Sequence, residues 1–284
     1  MVTFPNCKIN LGLHIVSKRP DGYHELETVF YPLPLRDVVE VITGNNTPDA
    51  GKWMTKTISG NVTLYHSGLT VLGETEGNLC IKAYRLLQQD FPNIPPIQLY
   101  LHKVIPMGAG LGGGSADGAF MLKLLNEKFQ LGLTTEKLLD YSLQLGSDGP
   151  FFIINKPCLA TGRGELLQPV DINLPAYRFI IVNPGIHVST PWAFSQVTPA
   201  TPAQPLHEII QLPVEQWKEK MVNDFETPVC QQHPELKTIK EELYKNGAAY
   251  AAMSGSGSSF FGIFPKEKMP VDLFSSTNYL VVTL

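Results

Sequence analysis

Apolar and polar positions alternate near the start of the chain. Across Cys7-Lys8-Ile9-Asn10-Leu11-Gly12-Leu13-His14-Ile15-Val16, the side chains of Ile9, Leu11, Leu13 and Ile15 fall on one side of an extended segment. Lys8, Asn10, Gly12 and His14 fall on the other. The pattern predicts a strand with one polar face, on which Lys8 and Asn10 are neighbours about 6–7 Å apart. The ordinary reading of such a face is the solvated side of an edge strand. Arg19-Pro20-Asp21-Gly22 is a turn signal, and alternation resumes over Tyr23 to Phe30, so residues 7–30 read as a hairpin. Residues 35–66 continue as β structure around a polar loop at Gly44-Asn45-Asn46-Thr47-Pro48-Asp49.

The period then lengthens. Asn78 caps a helix predicted over Leu79 to Gln89, stopped by Pro92. An extended segment, Ile97 to Val104, leads into Pro106-Met107-Gly108-Ala109-Gly110-Leu111-Gly112-Gly113-Gly114-Ser115-Ala116-Asp117. Beyond it Leu122, Leu125 and Phe129 share a helical face, and Gly132 is a stop. Thr134 or Thr135 opens a second helix through Leu138, Leu139, Tyr141 and Leu145, ended by Gly146. Asp148 follows in Ser147-Asp148-Gly149-Pro150, before an apolar run read as a strand. Residues 160–165 read as a turn, Phe179 to Val182 as a buried strand and 198–205 as a surface loop. Helical stretches are expected at about 206–232 and 234–246. Ala252-Met253-Ser254-Gly255-Ser256-Gly257-Ser258-Ser259 is a second glycine-serine loop before a strand at Phe260 to Phe264. The second half reads as an α+β domain of its own.

Composition narrows the class. The chain has 284 residues, 43% hydrophobic and 17% charged, with a formal net charge of −4. It is long enough for one large domain or two modest ones. The charge leaves no broad basic field for nucleic acid or acidic membranes. No run approaches the ~20 apolar residues of a membrane span. Pro5, Asn6, Lys8, Asn10 and His14 interrupt any signal-peptide core. Cys7, Cys80, Cys158 and Cys230 are widely spaced, which speaks against a zinc site or a disulfide framework and for reduced thiols in a cytoplasmic protein.

The candidate chemistry centres on the glycine segment. Strand, glycine loop and helix in that order place free amides and a helix dipole where phosphate oxygens can bind. Ser115 reads as the helix N-cap, with a hydroxyl suited to a phosphate or a metal-bound water. Gly108, Gly110 and Gly113 also satisfy the weak dinucleotide pattern G-x-G-x-x-G, and the P-loop lysine is missing. A phosphate cradle, a dinucleotide turn and a structural turn therefore compete. Lys8 near such a site would be more than a surface charge, and Tyr23 and His24 are placed for stacking on a planar base. Asp148 is either a turn former or a fixed acceptor at the mouth of a site.

Three motifs together, Pro5 to Asn10, the glycine loop 106–117 and Met253 to Ser258, resemble the GHMP kinase superfamily. Asp21-Gly22-Tyr23-His24, Pro106 to Ser115, Gly146 to Phe152 and Asn223-Asp224-Phe225-Glu226 are similar to its branch acting on 4-diphosphocytidyl-2-C-methyl-D-erythritol in non-mevalonate isoprenoid synthesis. The resemblance runs from about 3 to 264. It implies an α+β, two-lobed fold: an N-terminal lobe like ribosomal protein S5 domain 2 (1–157) and a ferredoxin-like C-terminal lobe (158–284).

The resemblance also implies ATP with Mg²⁺, and a small-molecule substrate bound by a monomer or weak homodimer. Lys8 and Asp148 correspond to the catalytic lysine and aspartate, expected to pair. Pro106, Met107, Gly108, Ala109, Gly110, Leu111, Gly112, Gly113, Gly114, Ser115 and Ala116 correspond to the ATP loop, with Asn78 and Lys103 at adenosine-contacting positions. Asn10, Tyr23, His24, Thr190, Phe194, Ser254, Gly255, Ser256 and Gly257 correspond to substrate contacts. Metal ligands stay open, with Ser115 a candidate.

Departures from the family pattern are Cys7, Ser147, Gly149, Asp117 and Gly118, and Gly149 is expected to loosen the backbone beside Asp148. Other readings are a homoserine- or mevalonate-type kinase and a non-catalytic nucleotide-binding protein. A dinucleotide oxidoreductase fits least, because Pro106 stands at the loop entrance.

Overall fold

The computed structural model describes residues 1–44, 54–71 and 73–284; positions 45–49 of the expected polar loop lie outside them. The chain forms two compact units, each assembled from separated segments. One comprises Met1–Cys7, Pro34–Met107 and Gly112–Asn155; the other comprises Lys8–Leu33, Gly108–Leu111 and Lys156–Leu284.

The first unit is built on a five-stranded sheet. Its strand order is Val2–Thr3, Val38–Thr43, Ile97–Lys103, Val62–Gly68, Thr55–Ser59. The pair Val62–Gly68 and Ile97–Lys103 runs parallel, in register from Val62 against Ile97 to Gly68 against Lys103. Parallel neighbours need a crossover, and helix Leu79–Asp90 supplies it. The Asn78 side chain accepts from the Cys80 N–H at 2.9 Å, so the expected cap forms. Helices Gly113–Lys128 and Thr135–Leu145 complete the layer.

The apolar run after Asp148 is a short helix, Gly149–Ile154, where the sequence pattern suggested a strand. Pro150 stands in its first turn, where a missing amide hydrogen costs nothing. Phe151, Phe152 and Ile153 are all buried, and periodicity alone does not separate so short a buried run from a strand.

The second unit holds two four-stranded sheets. One has the order Asn6–Lys18, His24–Arg36, Cys158–Thr161, Leu166–Pro169; the first two strands begin or end in the other unit. The second sheet has the order Tyr250–Met253, Phe260–Pro265, Tyr177–Asn183, Leu280–Thr283, antiparallel throughout. Helix Pro234–Lys245 packs on it, and Ile180, Val182, Leu236, Ile239, Leu243, Phe260 and Phe264 share one apolar core. This antiparallel sheet with its packed helix matches the ferredoxin-like expectation.

Residues 206–232 are not one helix. They divide into Leu206–Ile209, a 3-10 turn at Val214–Gln216 and Glu226–Gln232. Pro213 carries no amide hydrogen to continue a helix. The Asn223 side chain takes the Phe225 N–H at 3.0 Å, a local bond that competes with helical pairing.

The polar face of the first strand is buried, not solvated. Every residue from Asn6 to Ile15 is buried, including Lys8, Asn10 and His14. A buried polar face must be paired internally, and that pairing builds the site.

Candidate active site

In the second unit, Lys8 is 4% exposed and Asn10 2% exposed. The Lys8 ammonium donates to Asn10 Oδ1 at 2.6 Å. Asn10 Nδ2 donates to Thr28 Oγ1 at 2.9 Å, and the Thr28 hydroxyl donates to the Gly12 carbonyl at 2.5 Å. The Asn10 amide accepts from Lys8 on one side and donates to Thr28 on the other, which fixes its orientation and directs the ammonium toward its oxygen. Lys8 Nζ also lies 4.9 Å from the centroid of the Phe30 ring.

The same strand grips the glycine segment. Lys8 N–H donates to Leu111 O at 3.0 Å, and Ser259 N–H donates to Ala109 O at 3.2 Å. The Ser254 hydroxyl donates to Gly110 O at 2.8 Å and accepts from Asn10 N–H at 3.3 Å. Gly110 has φ +78°, and a Cβ there would stand 1.8 Å from the Ser254 carbonyl oxygen. Only glycine permits that approach. The second glycine-serine loop therefore holds the first in place, with Ser254 spent on that contact. Gly255, at φ +56°, also packs on Gly110: a Cβ there would lie 3.1 Å from the Gly110 Cα.

The loop 253–257 is itself held by Asn223 and Glu226. Asn223 Nδ2 donates to the Met253 and Gly255 carbonyls, each at 2.8 Å. Glu226 Oε2 accepts from Met253 N–H at 2.9 Å, and its other oxygen pairs with Lys240. Three polar residues around Phe225, in Asn223-Asp224-Phe225-Glu226 inside an otherwise helical pattern, were the signal in the sequence.

The aromatic candidates also fall in this unit. His24 stacks on Phe194 with centroids 4.8 Å apart, and Phe225 meets Phe194 edge-on at 4.8 Å. Tyr23 lies instead under the Arg163 guanidinium, 4.6 Å from the ring centroid. The Thr190 and Ser256 hydroxyls are 2.9 Å apart. At the hairpin tip, the bond from Arg19, then that from the Tyr23 N–H, holds the Asp21 carboxyl below its usual range.

In the first unit, the helix after the glycine segment starts at Gly113, with Gly112 at φ +70° in the N-cap position. Ser115 is thus inside the first turn and is not the cap; a left-handed glycine lets the chain enter the helix earlier. The first internal bond runs from Ala116 N–H to Gly112 O. The amides of Gly113, Gly114 and Ser115 precede it and have no partner within the helix.

Asp148 directly precedes helix Gly149–Ile154. Gly149 does not loosen this backbone. A Cβ there would lie 2.4 Å from the Ser142 carbonyl oxygen, so glycine allows the short helix to pack tightly on Thr135–Leu145. Gly149 N–H donates to Gly146 O at 3.1 Å, and Asn155, which ends the helix, donates to Asn6 Oδ1 at 2.8 Å.

Lys103 is not presented to a ligand. It is 2% exposed and its ammonium lies between Asp37 and Asp117, 2.7 Å from Asp117 Oδ2. Asp37 Oδ1 accepts from Val104 N–H at 2.5 Å and Ile105 N–H at 2.8 Å. A single sequence does not reveal that two distant aspartates will neutralise this lysine. Burial pushes the Asp117 carboxyl up to about 7, against the pull of Lys103 and with the push of Asp37.

The family model of the GHMP kinases N terminal domain matches residues 78–156, and that of the GHMP kinases C terminal matches 208–273. The chain is 55% identical over 270 residues to the 4-diphosphocytidyl-2-C-methyl-D-erythritol kinase of Bacteroides fragilis, covering 95% of this chain and 94% of that one. It belongs to the 4-diphosphocytidyl-2-C-methyl-D-erythritol kinase family. The relative of that name from Parabacteroides distasonis is 51% identical over 266 residues, covering 94% and 92% of the two chains. A solved structure of 4-(cytidine 5′-diphospho)-2C-methyl-D-erythritol kinase aligns with a TM-score of 0.74 at 31% identity, over 93% of this chain and 90% of that one. The two-domain GHMP kinase fold expected for this family is thereby established. Among the described residues no helix is long and apolar enough to cross a membrane.

Proposed function

We propose that the chain transfers the γ-phosphoryl group of ATP to the 2-hydroxyl of 4-diphosphocytidyl-2-C-methyl-D-erythritol, giving the 2-phosphate and ADP. The observation that carries this reading is the buried Lys8 ammonium, aimed by Asn10 on the strand that grips Gly108–Leu111. Phosphoryl transfer asks a protein for positioning and charge neutralisation more than for covalent chemistry. A cation held rigid out of water supplies that without reorganising during the reaction.

The amides at the start of helix Gly113–Lys128 suit the nucleotide phosphates. Asp148 accepts the proton of the attacking hydroxyl, and Lys8 stabilises the negative charge that develops. Tyr23 stacks on the cytosine ring, with His24, Thr190 and Phe194 around the same substrate; all four belong to one unit. Mg²⁺ bound with the nucleotide neutralises phosphate charge. Among the described residues no three His, Cys, Asp or Glu side chains cluster to hold a metal ion. Ser115, in the first helical turn, is the candidate protein donor to it.

The test is ADP release from Mg-ATP with 4-diphosphocytidyl-2-C-methyl-D-erythritol, homoserine or mevalonate as acceptor. Release is expected with the cytidyl acceptor only. Asp148→Asn is expected to keep ATP binding and lower turnover about 10²-fold or more. Near-normal turnover in that variant would remove Asp148 from the base role.

A further inference from the structure

A tyrosine at an exposed hairpin tip ordinarily samples several rotamers. Tyr23 is 53% exposed, yet one face of its ring is covered by Arg163, 4.6 Å from the centroid. That is within cation–π range. Arg163 is itself anchored. Its N–H donates to Glu165 Oε2 at 2.5 Å, and its Nε lies 3.5 Å from Glu165 Oε1.

The turn that carries Arg163 is tied to the hairpin that carries Tyr23. Gly162 N–H donates to Glu25 Oε1 at 2.8 Å, and Leu26 N–H donates to Gly162 O at 2.8 Å. The other Glu25 oxygen accepts from Arg19 Nη1 at 3.0 Å. The Arg163 side chain is 27% exposed, so it lies deeper than the ring it covers. With one ring face under the guanidinium and the residue 53% exposed, the opposite face is the one left for a ligand.

We infer that Arg163 is a substrate-positioning residue that fixes the Tyr23 ring with its opposite face ready to stack the pyrimidine of a cytidine diphosphate group. The inference rests on the proposed role of Tyr23. Stacking on a mobile side chain must first order it, and a ring already fixed removes that cost from binding. The guanidinium also polarises the π-system from behind. Arg163 touches Tyr23 and not the reacting atoms, so it acts on affinity and leaves the chemical step alone.

The test compares Arg163→Ala, Arg163→Lys, Tyr23→Ala and the double alanine variant. Two readouts are used: steady-state kinetics with both substrates, and calorimetric titration with cytidine 5′-diphosphate alone. Arg163→Ala is expected to raise the KM for the cytidyl substrate about fivefold, the loss of one partly screened cation–π contact. KM for ATP and kcat should stay within about twofold. Arg163→Lys should recover part of the loss, since an ammonium still fits over the ring but lacks the planar stack. In the Tyr23→Ala background, Arg163→Ala should add nothing.

An unchanged KM in Arg163→Ala, an equal loss toward ATP, or a full additional loss in the double variant overturns the inference. If Tyr23→Ala leaves affinity for cytidine 5′-diphosphate unchanged, the stacking reading fails and the inference falls with it. If Tyr23→Ala weakens that affinity and Arg163→Ala does not, only the role of Arg163 falls.

Discussion

Gly110→Ala tests the claim that the two glycine loops are fitted to one another. Two effects act on that substitution. The first is backbone strain: φ is +78° at Gly110, and a side chain there costs about 1–2 kcal/mol. The second is collision. The new Cβ would stand 1.8 Å from the Ser254 carbonyl oxygen, and reaching an ordinary contact of 3.4 Å needs a shift of about 1.6 Å. The neighbour is main chain, held by Ser259 and by the Asn223 amide through Met253 and Gly255. It therefore does not yield cheaply, and about 1–3 kcal/mol more is expected. Displacing the loop proposed to hold the nucleotide phosphates by over an ångström should lower kcat/KM about 10²-fold.

Gly132→Ala separates the two effects. Its φ is +70°, and no atom lies within 4 Å of the added Cβ. It should lose about 1–2 kcal/mol in urea unfolding and keep its activity. Gly110→Ala should lose more stability and most of its activity. If Gly110→Ala behaves like Gly132→Ala in both assays, the fitted-loop argument is wrong.

Two further predictions concern buried polar groups. Asn223→Ala leaves the Met253 and Gly255 carbonyls without their donor; a cost of about 2–4 kcal/mol is expected, read as a lower urea midpoint. Asp117 has a folded pKa raised to about 7 by burial, so between about pH 4 and 7 the folded chain keeps a proton that the unfolded chain releases. Its contribution is fully present below about pH 4 and is lost as pH rises toward 7. Urea unfolding at a series of pH values should show this falling component in the parent and its absence in Asp117→Asn. Identical pH dependence in both would refute it.

Local order was legible in the chain itself. Asn78 and Thr134 cap their helices, Gly146 ends one and Arg19 to Gly22 turns the first hairpin, because these outcomes depend on a residue and its near neighbours. The alternation over residues 7–16 and the order strand, glycine loop, helix were legible for the same reason. Motif resemblance extended this to the family and to the candidates Lys8 and Asp148.

Only the tertiary structure decided what those residues meet. The polar face of the first strand looked solvated, yet it is buried because Thr28 and Ser254 arrive to satisfy Asn10. Lys103 looked like a nucleotide contact, yet Asp37 and Asp117 take its charge inside the first unit. Gly110 is needed because Ser254, 144 residues away in sequence, approaches its backbone. A backbone angle or a cap is set within a few residues, so the sequence displays it. Satisfying a buried charge or closing two loops on one another depends on groups that meet only once the chain has folded.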